Sequence, residues 1–387
     1  MDAGLNLSIA PFEVAIPAAA IADLRARLAA TRWPDQPAGT DWRYGTDRAV
    51  LEPLCVYWAE GFDWPGFHAR LNGFPQYLAN IGGRTVHFYH VRSGQAEARP
   101  LLLCHGWPGA SAEFLDAMAP LADPVAHGGA AADAFHLVVP SLPGFGFSGP
   151  VAQPGYRARD VAADFAALMV GLGYDRYLIH GGDKGTRVAM TIAADHPERV
   201  QALHLGLMPA SPPDPADREA GLGPADIARV RRTDAFLKSE MAYQALQRTR
   251  PQSLAYGLMD SPAGLAGWLI EKFRGWTDCG GDLDAAFPRD RLLDMLSLYW
   301  FTGTIGSSMR SYFEDGGPGR EEPLPHVPVP VGHSAFPAEI IQTPRAWAER
   351  VFDIRYWKER PRGGHFPALE VPDDFVSELR ACFGLFR

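Results

Sequence analysis

The organisation of the chain follows from Tyr177-Leu-Ile-His-Gly-Gly-Asp-Lys-Gly-Thr186, a short apolar run that breaks into glycines around an aspartate. The run continues as Arg187-Val-Ala-Met-Thr-Ile-Ala-Ala-Asp195, so the pattern predicts a strand, a sharp turn and a helix. Small residues around Asp183 fit a nucleophile elbow, in which a strained turn raises one side chain above a sheet. An ordinary turn with Asp183 as the N-cap residue of the helix explains the same pattern equally well.

Composition places the chain among globular proteins. Its 387 residues are ample for one large α/β core with an inserted or appended subdomain, and 47% of them are apolar. The formal net charge of -9 argues against a nucleic-acid partner, which would require a clustered basic surface. Cysteines occur singly and without metal-ligand spacing, which predicts a reduced cytoplasmic protein with no zinc site; they are Cys55, Cys104, Cys279 and Cys382.

Hydropathy predicts a soluble protein with no membrane anchor. No run approaches the roughly 18 uninterrupted apolar residues of a membrane span. The sequence leaves open whether copies of the chain form a homo-oligomer. Basic residues are nearly all arginine, because the only lysines are Lys184, Lys238, Lys272 and Lys358. A lysine inside the elbow is therefore unusual for this chain.

The first segment, residues 1–76, is predicted to be a meander that packs on the main body. Apolar residues at helical spacing end before Pro34, and a second helical stripe leads to Trp58. We expect no sheet within this segment.

A central sheet is predicted from residue 77 onward, in a core whose first part is 77–207. Residues 77–81 and 85–91 flank glycines as in a β-hairpin, and 101–104 and 135–139 are continuous apolar runs typical of buried strands. Helical patterns alternate with these strands, which predicts an α/β fold with a mostly parallel central sheet and helices on both faces.

The loop His105-Gly-Trp-Pro-Gly109 follows a buried strand and would lie at the carboxyl edge of the sheet. We expect it to form an oxyanion hole from two backbone N–H groups, those of Trp107 and Lys184. For the His105 side chain we expect only that it braces the loop.

In their order, these motifs resemble the α/β-hydrolase-fold epoxide hydrolases, most closely the microsomal and juvenile-hormone type with an N-terminal epoxide-hydrolase segment. The resemblance runs from about residue 12 to 383 and is carried by the following motifs: Trp42-Arg-Tyr-Gly-Thr46, His105-Gly-Trp-Pro-Gly109, Gly144-Phe-Gly-Phe-Ser148, Gly181-Gly-Asp-Lys-Gly185 and Arg362-Gly-Gly-His-Phe366. Lys184 departs from the family, in which tryptophan is common at this place. Its side chain either favours the carboxylate form of Asp183 or points away along the helix, and we expect the latter.

Residues 208–322 show helical patterns and no parallel strand, which predicts a helical cap over the carboxyl ends of the strands. The resemblance implies that Tyr243 and Tyr312 are two ring-opening tyrosines. A phenol is a neutral donor at pH 7 and suits this role. Tyr256 and Tyr299 remain competitors.

The second part of the core, 323–387, is predicted to begin with a strand at 326–331. The following loop resembles the one that carries the family's acid, which implies this role for Glu339. His365 lies in a glycine-flanked loop after the last predicted strand, and nucleophile, acid and histidine follow the α/β-hydrolase order. Asp353 is the rival acid.

The resemblance implies hydrolysis of a small apolar epoxide to a diol through an ester of Asp183, with no metal or organic cofactor. Two alternatives remain. A haloalkane or haloacid dehalogenase would use the same nucleophile, with the Trp107 indole as a halide donor. An inactive hydrolase fold would serve only as a binding protein.

Overall fold

A single sheet organises the part of the chain that the computed structural model describes, residues 7–387. Its strands are β1 (Leu7–Phe12), β2 (Gln76–Ile81), β3 (Arg84–Val91), β4 (Arg99–Cys104), β5 (Phe135–Pro140), β6 (Tyr177–Gly181), β7 (Val200–Leu205), β8 (Val331–Ala335) and β9 (Ile354–Glu359). Their order is β1-β2-β3-β5-β4-β6-β7-β8-β9.

The sheet is antiparallel from β1 to β5 and parallel from β5 to β9. The central strands β4 and β6 are mostly apolar and buried, as expected where helices cover both faces. The predicted α/β-hydrolase fold with a mostly parallel sheet is confirmed.

The helices of the described residues fall before, between and after the strands. They are α1 (Ala18–Ala29), α2 (Arg48–Glu60), α3 (Trp64–Leu71), α4 (Leu115–Ala122), α5 (Ala158–Gly171), α6 (Lys184–Asp195), α7 (Pro224–Ser239), α8 (Ala242–Thr249), α9 (Pro251–Asp260), α10 (Pro262–Trp276), α11 (Leu283–Ala286), α12 (Arg289–Thr302), α13 (Ile305–Gly316), α14 (Arg345–Ala348), α15 (Pro367–Glu370) and α16 (Pro372–Gly384). Seven of them, α7 to α13, lie between β7 and β8. Within residues 7–387, every helix is too short or too polar to cross a lipid bilayer.

Two strand predictions were wrong. The N-terminal segment does contribute to the sheet, because β1 pairs with β2 at its edge. Its residues are mostly exposed and include Pro11, which an edge strand tolerates, so the sequence carried little strand signal. The strand expected at 326–331 begins only at Val331, since Pro328 and Pro330 have no N–H to donate to a neighbouring strand.

The N-terminal helices pack against the helices that separate β7 from β8. Arg70 of α3 forms an ion pair with Asp294 of α12 at 2.6 Å, and the Trp58 indole N–H donates to the Ser297 hydroxyl at 2.9 Å. The division of the chain at residues 76, 207 and 322 stays a prediction.

Candidate active site

Asp183 is at the apex of the turn between β6 and α6. Its φ of 46° and ψ of -120° lie in a region that residues with a side chain avoid, and such strain is typical of functional turns. The carboxylate makes no capping hydrogen bond to α6, so the N-cap interpretation is not supported.

The turn is held in place by very close packing. A Cβ atom on Gly185 would overlap the carbonyl of Cys104 at the end of β4, and one on Gly106 would overlap the side chain of Asp183. Glycine at both positions therefore brings the elbow against the loop that follows β4.

That loop directs a backbone donor at the carboxylate. The N–H of Trp107 donates to Asp183 Oδ1 at 2.9 Å, while the N–H of Lys184 has no acceptor among residues 7–387. His105 braces the loop as expected, since its Nε2 accepts the N–H of Leu142 at 2.9 Å. The N–H of Trp107 thus contacts Asp183 directly, and the role of both N–H groups as oxyanion donors stays a prediction.

His365 links two carboxylates in the protein interior. Its Nδ1 lies 2.8 Å from Glu339 Oε1, and its Nε2 lies 3.5 Å from Asp183 Oδ2. The rival acid Asp353 is half exposed and pairs with Arg355 instead. Geometry therefore favours Glu339 as the partner of the imidazole.

The charges of these three groups are coupled. Burial alone would lower the pKa of His365, but the carboxylates of Glu339 and Asp183 raise it well above its ordinary value. Burial alone would raise the pKa of Asp183, yet the hydrogen bond and charge of His365, the Trp107 N–H and Lys184 together lower it. In the resting site, Asp183 is therefore a carboxylate and His365 is an imidazolium.

Two tyrosines from helices between β7 and β8 pack against the same loop. Tyr243 of α8 stacks on Trp107 with ring centroids 5.5 Å apart, and Tyr312 of α13 meets the same indole edge-on at 5.8 Å. Burial, followed by smaller effects that include the charge of Asp183, raises the pKa of both phenols, so both are protonated at neutral pH. Tyr256 is 70% exposed and the Tyr299 hydroxyl donates to the Gly109 carbonyl, which leaves neither competitor facing Asp183.

A cavity of about 190 Å³ adjoins Asp183 and is lined by both tyrosines, Lys184 and Asp315. The last two residues also line a second cavity of about 270 Å³. The expectation that Lys184 points away along α6 is wrong. Its Nζ lies 3.9 Å from the ring centroid of Tyr312 and 3.3 Å from Asp315 Oδ2.

Three groups beside the site were not predicted from the sequence. The carbonyl of Trp276 accepts the N–H of His365 at 2.8 Å, and Lys272 lies over the ring of Tyr243. Glu113 has a buried Oε2 with no hydrogen-bond partner among the described residues, and burial raises its pKa to about 8. No local pattern marks these residues, because each acquires its neighbours from distant parts of the chain. Nor do the described residues contain a cluster of three or more His, Cys, Asp or Glu that could hold a metal ion.

Comparison with known families gives two matches along the chain. Residues 9–114 match the model of the epoxide hydrolase N terminus, and residues 99–256 match the model of the alpha/beta hydrolase fold.

Relatives of the whole chain agree with these matches. A protein of Stigmatella aurantiaca, provisionally named an epoxide hydrolase, is 43% identical over 98% of this chain and 86% of its own length. Epoxide hydrolase 1 of Sus scrofa is 33% identical over 98% of this chain and 89% of its own length. The crystal structure of the juvenile hormone epoxide hydrolase of the silkworm Bombyx mori has a TM-score of 0.91, with 30% sequence identity over 99% of this chain and 96% of that one. The structure of the Aspergillus niger epoxide hydrolase has a TM-score of 0.87, with 31% sequence identity over 99% of this chain and 98% of that one. The chain therefore belongs to the epoxide hydrolase family of proteins with the α/β-hydrolase fold.

Proposed function

We propose that the protein hydrolyses an epoxide to a vicinal diol in two steps, through an ester of Asp183. The observation that carries this proposal is the surroundings of one carboxylate. Asp183 receives the Trp107 N–H on one oxygen, lies 3.5 Å from His365 on the other, and adjoins a cavity lined by two phenols. An ionised carboxylate with a lowered pKa is a suitable nucleophile for a carbon centre.

In the first step, the Asp183 carboxylate attacks an epoxide carbon. The C–O bond to that carbon breaks, and a proton from Tyr243 or Tyr312 converts the departing oxygen into a hydroxyl. The second phenol hydrogen-bonds the same oxygen. The products are an alkyl ester of Asp183 and a phenolate.

In the second step, His365 takes a proton from water, and the resulting hydroxide attacks the ester carbonyl. The N–H groups of Trp107 and Lys184 stabilise the oxyanion, and collapse of the intermediate releases the diol. The hydroxyl proton of the intermediate passes to the departing alkoxide as the Asp183 carboxylate re-forms, and His365 keeps the proton that it took from water, which restores the resting imidazolium.

Ester formation also prepares the base for the second step. In the resting site, the charge of Asp183 helps to keep His365 protonated. Conversion of Asp183 into a neutral ester removes that charge and lowers the pKa of His365. The imidazolium proton then passes to the phenolate, which restores the tyrosine and leaves a neutral imidazole that can accept a proton from water.

The covalent step is tested by a single turnover in heavy-oxygen water. We expect the label to enter the Asp183 carboxylate while the first diol stays unlabelled, because its new oxygen comes from Asp183. Asp183→Asn should abolish turnover, and His365→Ala should accumulate the ester. Label in the first diol would disprove the ester mechanism.

A dehalogenase remains the second candidate because the Trp107 indole N–H has no acceptor among the described residues. The same atom is enclosed by protein, however, which leaves no space beside it for a halide. A panel that compares diol formation with halide release separates the two activities. Tight binding of epoxides without any turnover would instead favour the inactive binding protein.

For the substrate, we infer an apolar epoxide whose substituent extends into the second cavity. The wall of that cavity includes Leu142, Phe145, Val161 and Val188 beside the charged Arg157 and Arg310, whereas the smaller cavity beside Asp183 carries Arg187 and Arg248 and has no aliphatic residue among the described residues that line it. A cytoplasmic location is supported by the four cysteines, all free and buried.

A further inference from the structure

Two of the four lysines of this chain lie over the rings of the two proposed proton donors. Lys184 Nζ is 3.9 Å from the ring centroid of Tyr312, and Lys272 Nζ is 5.1 Å from that of Tyr243. The other two, Lys238 and Lys358, are exposed on the surface. In a chain whose basic residues are nearly all arginine, this placement is specific.

The buried position of Lys272 is energetically unfavourable. It is only 5% exposed, and burial of an ammonium is unfavourable even when the ion is paired. Its ion pair is with the adjacent Glu271 at 2.7 Å, and its other close neighbours are the rings of Tyr243 and Trp268. A methionine would fill similar space without the charge, so packing alone does not explain the lysine.

Lys184 is held in an equivalent way. Its ammonium lies between the Tyr312 ring and Asp315, and its side chain is 14% exposed. Each cation therefore adjoins both a phenol ring and a carboxylate. An ammonium beside a ring is attracted to the π face, and the attraction grows when the ring acquires negative charge.

We propose that Lys184 and Lys272 are positioning residues that stabilise the negative charge that develops on Tyr312 and Tyr243 when a phenol protonates the opening epoxide. The inference rests on the proposed function. The lysines themselves give up no proton: the phenol O–H bond breaks, the new hydroxyl O–H bond forms, and the ammonium groups compensate the phenolate left behind. Their main effect is on the first step, because ester hydrolysis uses His365 and the backbone donors.

The test measures the two steps separately. Single turnovers of styrene oxide are quenched at short times, and the Asp183 ester is quantified by mass spectrometry. We expect Lys272→Met and Lys184→Met each to slow ester formation about 2- to 30-fold, which corresponds to the energy range of cation–π contacts. Ester hydrolysis should be affected less, and the ester should therefore accumulate less than in the wild type.

Charge-conserving variants and surface variants provide the controls. Lys272→Arg and Lys184→Arg should recover ester formation, whereas Lys238→Met and Lys358→Met should match the wild type. Lys272 is the cleaner site, because Lys184 also helps to lower the pKa of Asp183.

Three results would overturn the inference: equal loss in both steps, no recovery with arginine, or Met variants at Lys184 and Lys272 that match the surface controls. A failure of the Lys272 variants to fold leaves the Lys184 pair as an independent test. If the wild-type protein forms neither ester nor diol from any epoxide, the proposed function itself fails. If the wild type is active and the lysine variants match it, only the inference about the lysines fails.

Discussion

At the scale of single residues, the carboxyl groups around His365 differ in what they do. Glu339 accepts hydrogen bonds from the imidazole Nδ1–H of His365 and from the N–H of Ile340, and its charge helps to raise the pKa of His365. Glu113 is close enough to influence His365 and Asp183 electrostatically, but burial keeps it protonated at neutral pH. The two acids therefore lead to different predictions.

Glu339→Gln should impair ester hydrolysis far more than ester formation. The amide keeps the shape of the side chain and loses the charge that supports an imidazolium, for which we expect a loss of roughly 10²- to 10⁴-fold in the second step. Rapid-quench kinetics would show an accumulated ester. Asp353→Asn is the matched control, and a loss of similar size in that variant would contradict the assignment of Glu339.

Glu113→Gln should change how stability depends on pH. The pKa of Glu113 is raised by burial from 4.5 to about 8, so the folded protein binds a proton that the unfolded chain releases. This group therefore makes the wild type lose stability as pH rises from about 4.5 to about 8. Urea unfolding across this range should show a flatter profile for the variant, whereas Glu60→Gln, at an exposed position, should follow the wild type.

At the scale of elements, the turn between β6 and α6 depends on contact with the end of β4. Gly181 and Gly182 precede Asp183, yet only some glycines of the elbow are enclosed. Gly185 faces the Cys104 carbonyl without room for a methyl group, while a Cβ atom on Gly182 would meet nothing within 4 Å. The packing therefore requires glycine at position 185 but not at position 182.

Gly185→Ala should destabilise the fold by about 1–3 kcal/mol, because the added methyl group pushes α6 away from β4. Gly182→Ala, two residues before the helix, should change stability by less than about 0.5 kcal/mol. Urea unfolding of both variants checks the difference. Equal stabilities would mean that α6 can shift without cost.

At the scale of the whole molecule, the N-terminal helices and the helices inserted between β7 and β8 are joined by ion pairs of unequal burial. The Arg70 pair with Asp294 is bidentate, and the Asp294 side chain is 4% exposed. The Arg27 pair with Asp260 is largely exposed. Only the first should contribute strongly to stability.

Arg70→Leu should cost about 3 kcal/mol of stability, since it leaves the buried Asp294 carboxylate with only a long contact to Arg291. Arg27→Leu should cost less than about 1 kcal/mol. Chemical unfolding measures both. Adding Asp294→Leu to Arg70→Leu should recover part of the loss, and no recovery would show that Arg70 acts through packing instead of charge.

Much of this protein could be predicted from local sequence. Alternating apolar runs and helical stripes determine the parallel sheet, and the glycines around Asp183 and His365 mark the turns that carry them, because such turns restrict residue choice locally. Glu339 and Tyr312 were predicted through resemblance, since neither stands in a pattern that physics alone would single out.

Other features were decided only by the tertiary structure. The edge strand β1 depends on a partner some 70 residues away, and the strand at Val331 depends on which N–H groups can reach β7 and β9. The direction of Lys184 depends on Tyr312 and Asp315 of α13, and the approach of Lys272 to Tyr243 depends on contact between α10 and α8. Sequence alone placed Asp183 in a glycine-rich turn before a helix, because such turns restrict residue choice locally, whereas packing between remote elements decided which charges surround the proposed proton donors.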